Sequence, residues 1–157
     1  MDAESLVQLM SFSQRALGAN LEGFTHQESL AQPPSGNCAN WLLGHILLHR
    51  ERMLAALGAP PAGSDEAVAE RYDRGSPPVT GDGAGVARFE SLRGALDESA
   101  RCITDAVRRA DGATLAADYQ NGRTVGQFVA LLMYHEGYHV GQIGAVRRQL
   151  GKPGAIR

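Results

Sequence analysis

The sequence holds only two cysteines, Cys38 and Cys102, in 157 residues, and they form no CxxC. That excludes a disulfide-rich framework and agrees with a reducing compartment. Each reads as a small core residue. Positive charge is not in excess either: the formal net charge is −2, the isoelectric point is near 6.2, and the arginines are scattered. Nucleic acid is therefore not an expected partner. No apolar run approaches the roughly 20 residues that a membrane span requires. The best, Trp41-Leu42-Leu43, is interrupted at Gly44 and His45. The opening MDAESLVQLM lacks the positive n-region of a secretory signal. A cytoplasmic protein with no membrane attachment is expected. Strand alternation is almost absent as well, which leaves an all-helical fold.

Periodicity places four helices in what remains. The first runs from about Ala3 to Leu21, with Leu6, Leu9, Met10, Phe12, Ala16, Leu17 and Leu21 on one stripe. The second starts near Asn37 or Asn40, either of which can cap, and ends at Leu57 before Gly58 and Pro60-Pro61. Its inner face reads Cys38, Trp41, Leu42, His45, Leu48, Arg52 and Ala56. The third spans about Val86 to Ala110, with Phe89, Leu92, Leu96, Ile103 and Val107 at helical steps. The fourth spans Thr124 to Leu150, opened by a Thr124/Gln127 capping box and stopped by Gly151 and Pro153. Its stripe is Val125, Phe128, Leu132, His135, His139, Gln142 or Ile143, Val146 and Leu150.

The predicted fold is an all-α four-helix bundle in a single domain, residues 1–157. Residues 58–85, rich in Gly, Pro, Ser and Asp, read as a long crossover between helices two and three, with a short helix over Asp65 to Tyr72. Asn121-Gly122 is the usual pair of a type I′ turn, so a short hairpin is expected before helix four. Gly137, Gly141 and Gly144 weaken that helix by about 1 kcal/mol each relative to alanine. Close approach of a neighbouring helix or a dimer partner is the expected compensation.

His135-Glu136-Gly137-Tyr138-His139 is an HExxH string. Histidines four apart lie one above the other on a helix, about 6 Å apart along its axis, and can share one Zn²⁺-like ion. In zinc peptidases the glutamate is the general base and a third ligand lies downstream. Residues 140–157, however, hold no His, Asp, Glu or Cys. A third ligand must come from upstream, among His26, His45 and His49. His45 shares the face of helix two that carries Leu42 and Leu48, so it can point into the same interior. His49 reads as a fourth ligand or as pocket rim, with Arg50 and Glu51 placing it at a solvent edge. His26 sits in a polar connection and reads as a surface residue. Without a metal, the same side chains would be hydrogen-bonded core histidines. Glu136, turned about 100° from His135, reads as solvated, as paired with an arginine such as Arg50, or as a base. Three imidazoles with no carboxylate leave the ion's charge intact and a coordination position open, which favours Lewis-acid chemistry. A ferritin-like di-iron site would need Glu-x-x-His pairs, which helices one and three lack.

Asn40-Trp41-Leu42-Leu43-Gly44-His45 on helix two, a loose middle, and His135, His139, Gly141-Gln142, Arg147-Arg148 and Leu150-Gly151 at the end together resemble the DinB superfamily. The resemblance implies a four-helix bundle that binds a divalent metal through His45, His135 and His139. Zinc or nickel is expected, with iron or manganese as alternatives. It also implies a homodimer, and a low-molecular-weight thiol such as bacillithiol or mycothiol as cosubstrate. The expected function is a metal-dependent transferase or hydrolase acting on a small molecule. The alternatives are a non-enzymatic metal-binding stress-response or dimerising protein and, third, an HExxH peptidase. His49, Arg52, Tyr134, Glu136, Tyr138 and Gln142 are the candidates for polar or catalytic groups around the ion.

Overall fold

The computed structural model describes residues 2–63 and 70–155. Four long helices carry the fold: α1 (Ala3–Leu21), α3 (Ala39–Ala56), α4 (Phe89–Arg109) and α6 (Val125–Gln149). Among the elements described from end to end, two short ones, α2 (His26–Ser29) and α5 (Gly112–Ala116), lie in the connections. Local chemistry explains most of the boundaries. Asp2 accepts the Ser5 amide at the start of α1, and Thr124 and Gln127 form the expected reciprocal box at the start of α6. Gly58 and Gly151 follow the last turns of α3 and α6 with φ of 65° and 75°, the left-handed conformation that glycine adopts without cost. The start of α3 differs from expectation. Cys38 occupies the cap position without a side-chain capping bond, its thiol donating instead to the Val79 carbonyl. Asn40 lies inside the helix, where it donates to the Ala87 carbonyl and accepts from the Tyr72 hydroxyl.

Two apolar clusters fill the bundle, one at each end. Met10 of α1, Met53 of α3, Ile103 of α4 and Val129 of α6 belong to one. Leu17, Leu43, Leu92 and Ile143 from the same four helices belong to the other, which also takes in Tyr72 and Val79 of the long connection. Both α3 and α4 begin in the second cluster and end in the first, so they run in the same direction. The chain between them must therefore travel back along the bundle, which is why the connection is long. The short helix expected over Asp65 to Tyr72 lies mostly outside the described residues, and residues 70–72 are helical. Before α6, Asn121 and Gly122 take φ of 54° and 70°, the paired left-handed residues of a type I′ turn. The Tyr119 amide donates to the Arg123 carbonyl at 2.8 Å, and a single bridge joins Asp118 to Thr124.

The sequence places His26 at the surface. It is instead buried, with Nδ1 accepting the Phe89 amide at the start of α4 and Nε2 3.3 Å from the Asp82 carboxylate. Close helix approach accounts for one of the three α6 glycines. A Cβ on Gly144 would lie 3.2 Å from the Asn20 side chain, whereas at Gly137 and Gly141 it would meet nothing within 4 Å. The latter two border an open apolar groove between α1 and α6, beside exposed Phe12, Tyr134 and Tyr138.

Between the two clusters lies one buried polar layer centred on Arg50. Its side chain is 0% exposed, and all five of its N–H groups are bonded. Nε and Nη2 donate to the two oxygens of Glu136 on α6 at 2.8 and 2.7 Å. Nη1 donates to the Leu96 carbonyl and the Ser99 hydroxyl of α4, and Nη2 also to Gln14 of α1. The Ser13 hydroxyl donates to the same Glu136 carboxylate. Sequence reading assigned Arg50 to a solvent edge and Arg52 to the inner face; Arg50 is instead wholly buried, while Arg52, on the side of α3 that carries His45 and His49, stays partly exposed. α3 is enclosed by α4, α6 and the long connection, so it buries more than one stripe.

Removing one partner strands a buried charge. Glu136→Ala is expected to cost about 3–5 kcal/mol of folding stability. Urea denaturation would show it, and a loss below about 1 kcal/mol would mean that the layer does not hold the bundle together.

Candidate metal centre

Packing α3 against α6 beside this polar layer brings four histidines together. His45 and His49 are one turn apart on α3, and His135 and His139 one turn apart on α6. The ring centroids of His45 lie 4.6, 5.3 and 5.0 Å from those of His49, His135 and His139. His49 and His135 are 4.3 Å apart. One ring nitrogen from each of His45, His49 and His135 lies within 4.8 Å of the other two, close enough to share an ion. His139 joins through His135, with the two Nε2 atoms 3.0 Å apart. The solvent-edge expectation for His49 is thus overturned. Its neighbour Arg50 points into the core, and His49 turns into the cluster.

Hydrogen bonds fix two of the four tautomers. His45 Nδ1 lies 2.8 Å from the Tyr72 carbonyl, which can only accept, so Nδ1 carries the proton and Nε2 keeps its lone pair. His139 Nδ1 lies 2.7 Å from Gln142 Oε1, with the same consequence. Gln142 in turn donates to the Tyr138 hydroxyl at 3.2 Å. Trp41 stacks on His45 at 4.6 Å, and its indole N–H is held by Ser76. Nδ1 of His49 and Nδ1 of His135 are buried without a hydrogen-bond partner.

Burial dominates the electrostatics. It pushes His49 down to about 3 and His135 to about 4, reinforced by the repulsion a proton would meet from the neighbouring histidines. His45 and His139 are lowered by burial too, each partly offset by the hydrogen bond at Nδ1. All four imidazoles are therefore neutral near pH 7 and offer lone pairs. Two orphaned nitrogens, two preset tautomers and an all-imidazole donor set fit a borderline divalent ion such as Zn²⁺ or Ni²⁺ far better than Mg²⁺ or Ca²⁺.

Residues 9–143, which include all four histidines, match the model of one protein family. The chain belongs to the DinB superfamily. No curated protein matches it. Within this DinB domain the remaining sequence candidates stand as follows. Glu136 has both oxygens engaged by Arg50 and Ser13. Gln142 orients His139, and Tyr138 lies against the His139 ring at 5.2 Å. Arg52 pairs with Asp73 at 3.2 Å on the partly exposed edge of α3. Sequence reasoning missed Tyr72, whose carbonyl orients His45 and whose ring is wholly buried. It also passed over Gly44. A Cβ there would fall 2.3 Å from the Tyr72 ring, so only glycine lets that ring pack against α3. A helical glycine immediately before a core histidine was the available signal.

Two outcomes are expected. Gly44→Ala should displace Tyr72, cost about 1–3 kcal/mol as an overpacked core site, and weaken metal uptake. Calorimetric melting beside metal titration checks both, and wild-type behaviour in each would contradict the role given to Tyr72. The second concerns pH. His49 and His135 titrate near 3 and 4 when folded against an ordinary 6.5, so the unfolded chain binds more protons between those values. Metal-free protein should therefore hold full stability above about pH 6.5 and lose it as pH falls toward 4. The slope of Tm against pH should be shallower in His49→Gln; equal slopes would refute the assignment.

Proposed function

We propose that this DinB protein is a metal-dependent transferase that joins a small thiol to an electrophilic substrate. The observation that carries this reading is the convergence of neutral imidazoles with unpartnered nitrogens and no carboxylate among them. His45, His135 and His139 would hold the ion, with His49 in reach as a fourth donor. When bound, a divalent ion supplies Lewis acidity and lowers the pKa of a coordinated thiol or water.

The chain's own residues do the rest. Tyr72 and Gln142 hold His45 and His139 in the tautomers that present Nε2. Trp41 shields one face of His45 from water. Half-buried His49 and His135 leave the cluster open on one side. In the transfer the sulfur forms the new bond to the electrophile, the leaving group departs with its electron pair, and the thiol proton passes to solvent. Hydrolysis is the same scheme with water as nucleophile. A peptidase is disfavoured because Glu136, the would-be base, is bound in the Arg50 layer.

One observation favours a second reading. If His49 completes a four-histidine sphere, no position remains for substrate, and the protein stores or senses the ion. Metal analysis and assays separate these readings. Protein purified without chelator should carry one ion per chain, lost in His45→Ala, His135→Ala and His139→Ala and weakened less in His49→Ala. Metal-dependent consumption of bacillithiol or mycothiol with an alkylating electrophile supports transfer. Ester or amide cleavage without thiol supports hydrolysis. Neither activity in the loaded protein supports storage.

A further inference from the structure

Arg52 follows His45 and His49 on α3 at i, i+4 and i+7 spacing, so its side chain leaves the helix on the side that carries them. Its partner is Asp73, the residue after Tyr72, whose carbonyl orients His45. One nitrogen, Nη2, reaches both Asp73 oxygens at 3.2 Å, longer than a well-formed charged bond. The two side chains are 42% and 47% exposed. Such a pair is weak and easily exchanged. Asp73 also has a second partner, the Arg74 amide at 2.7 Å, which would keep it in place once Arg52 turned away.

Charge balance points the same way. Among the described residues near the cluster the imidazoles are neutral, Glu136 is bonded to Arg50 and Asp73 to Arg52, so an ion held there by imidazoles alone would keep its double positive charge. A ligand that brings both a thiolate and a carboxylate would cancel it.

We infer that Arg52 is the recognition group for a carboxylate on the thiol cosubstrate, with Asp73 as the internal carboxylate that holds the guanidinium until the ligand arrives. The inference rests on the thiol reading given above, and it narrows the cosubstrate to carboxylate-bearing thiols. Arg52 acts through geometry that lysine reproduces only in part, since a planar fork meets a carboxylate with two parallel bonds.

The test uses the full chain loaded with Co²⁺ and titrated with 3-mercaptopropionate or 3-mercaptopropanol, followed by the thiolate-to-cobalt absorption band. Wild type should bind the carboxylate thiol about tenfold more tightly, as expected of one charge-assisted contact. Arg52→Gln should erase that preference without weakening the alcohol thiol, and Arg52→Lys should keep part of it. Asp73→Asn, which frees Arg52, should enlarge it. Equal affinities in wild type, or a preference that survives Arg52→Gln, would overturn the inference while leaving thiol binding intact. No absorption band with either thiol would remove the thiol reading itself, and the inference with it.

Discussion

The ion pair between Arg50 and Glu136 is the constraint on which the rest of the structure depends. Two charges withdrawn from water are costly unless every donor and acceptor is satisfied, and here Arg50 spends each of its five N–H groups on α1, α4 or α6. An apolar core tolerates sliding of one helix against another by a fraction of a turn. This layer does not, because any axial shift would leave a buried guanidinium or carboxylate unpaired. The layer thereby sets the height of α3 relative to α6. Arg50 follows His49 in sequence and Glu136 follows His135, so the same contact brings the histidines level.

Seen this way, the HExxH string divides its labour unexpectedly. The two histidines face the metal-competent cluster, and the glutamate between them faces the opposite partner, Arg50, in the core. The chemistry usually expected of that glutamate is replaced by a structural one. What remains for reactivity is an open, carboxylate-free group of imidazoles whose orientation comes from Tyr72, Gln142 and Trp41 rather than from acidic partners.

Much of this was legible in the sequence because it is local. The stripe of α4, most of that of α1 (Leu9 and Phe12 excepted, which are exposed), the capping box of Thr124 and Gln127, the Asn121-Gly122 turn and the i, i+4 histidines all depend on neighbours within a few residues. The DinB resemblance was equally readable, whereas the group close enough to share an ion, His45, His49 and His135, includes a histidine that the resemblance left out. What escaped notice depends on contacts distant in sequence. The pairing of Glu136 with Arg50, 86 residues away, was one of three readings open for that glutamate, and only the packing of α3 against α6 decides for it. Nothing near His45 announces the Tyr72 carbonyl, which arrives from the long connection. Arg50 was read as solvent-facing, the usual rule for a charged residue, and that one assumption misplaced Arg50 and His49 together. His26 failed for the same reason: its polar surroundings hid a buried role at the start of α4.

The central claim is that the histidine cluster is a metal site. X-ray absorption at the metal edge, on protein purified with its ion, addresses it most directly. The account predicts a first shell of three or four nitrogens with the outer scattering of imidazole rings. A shell of carboxylate oxygens with no imidazole signature, or protein that takes up no ion when metal is supplied, would contradict it.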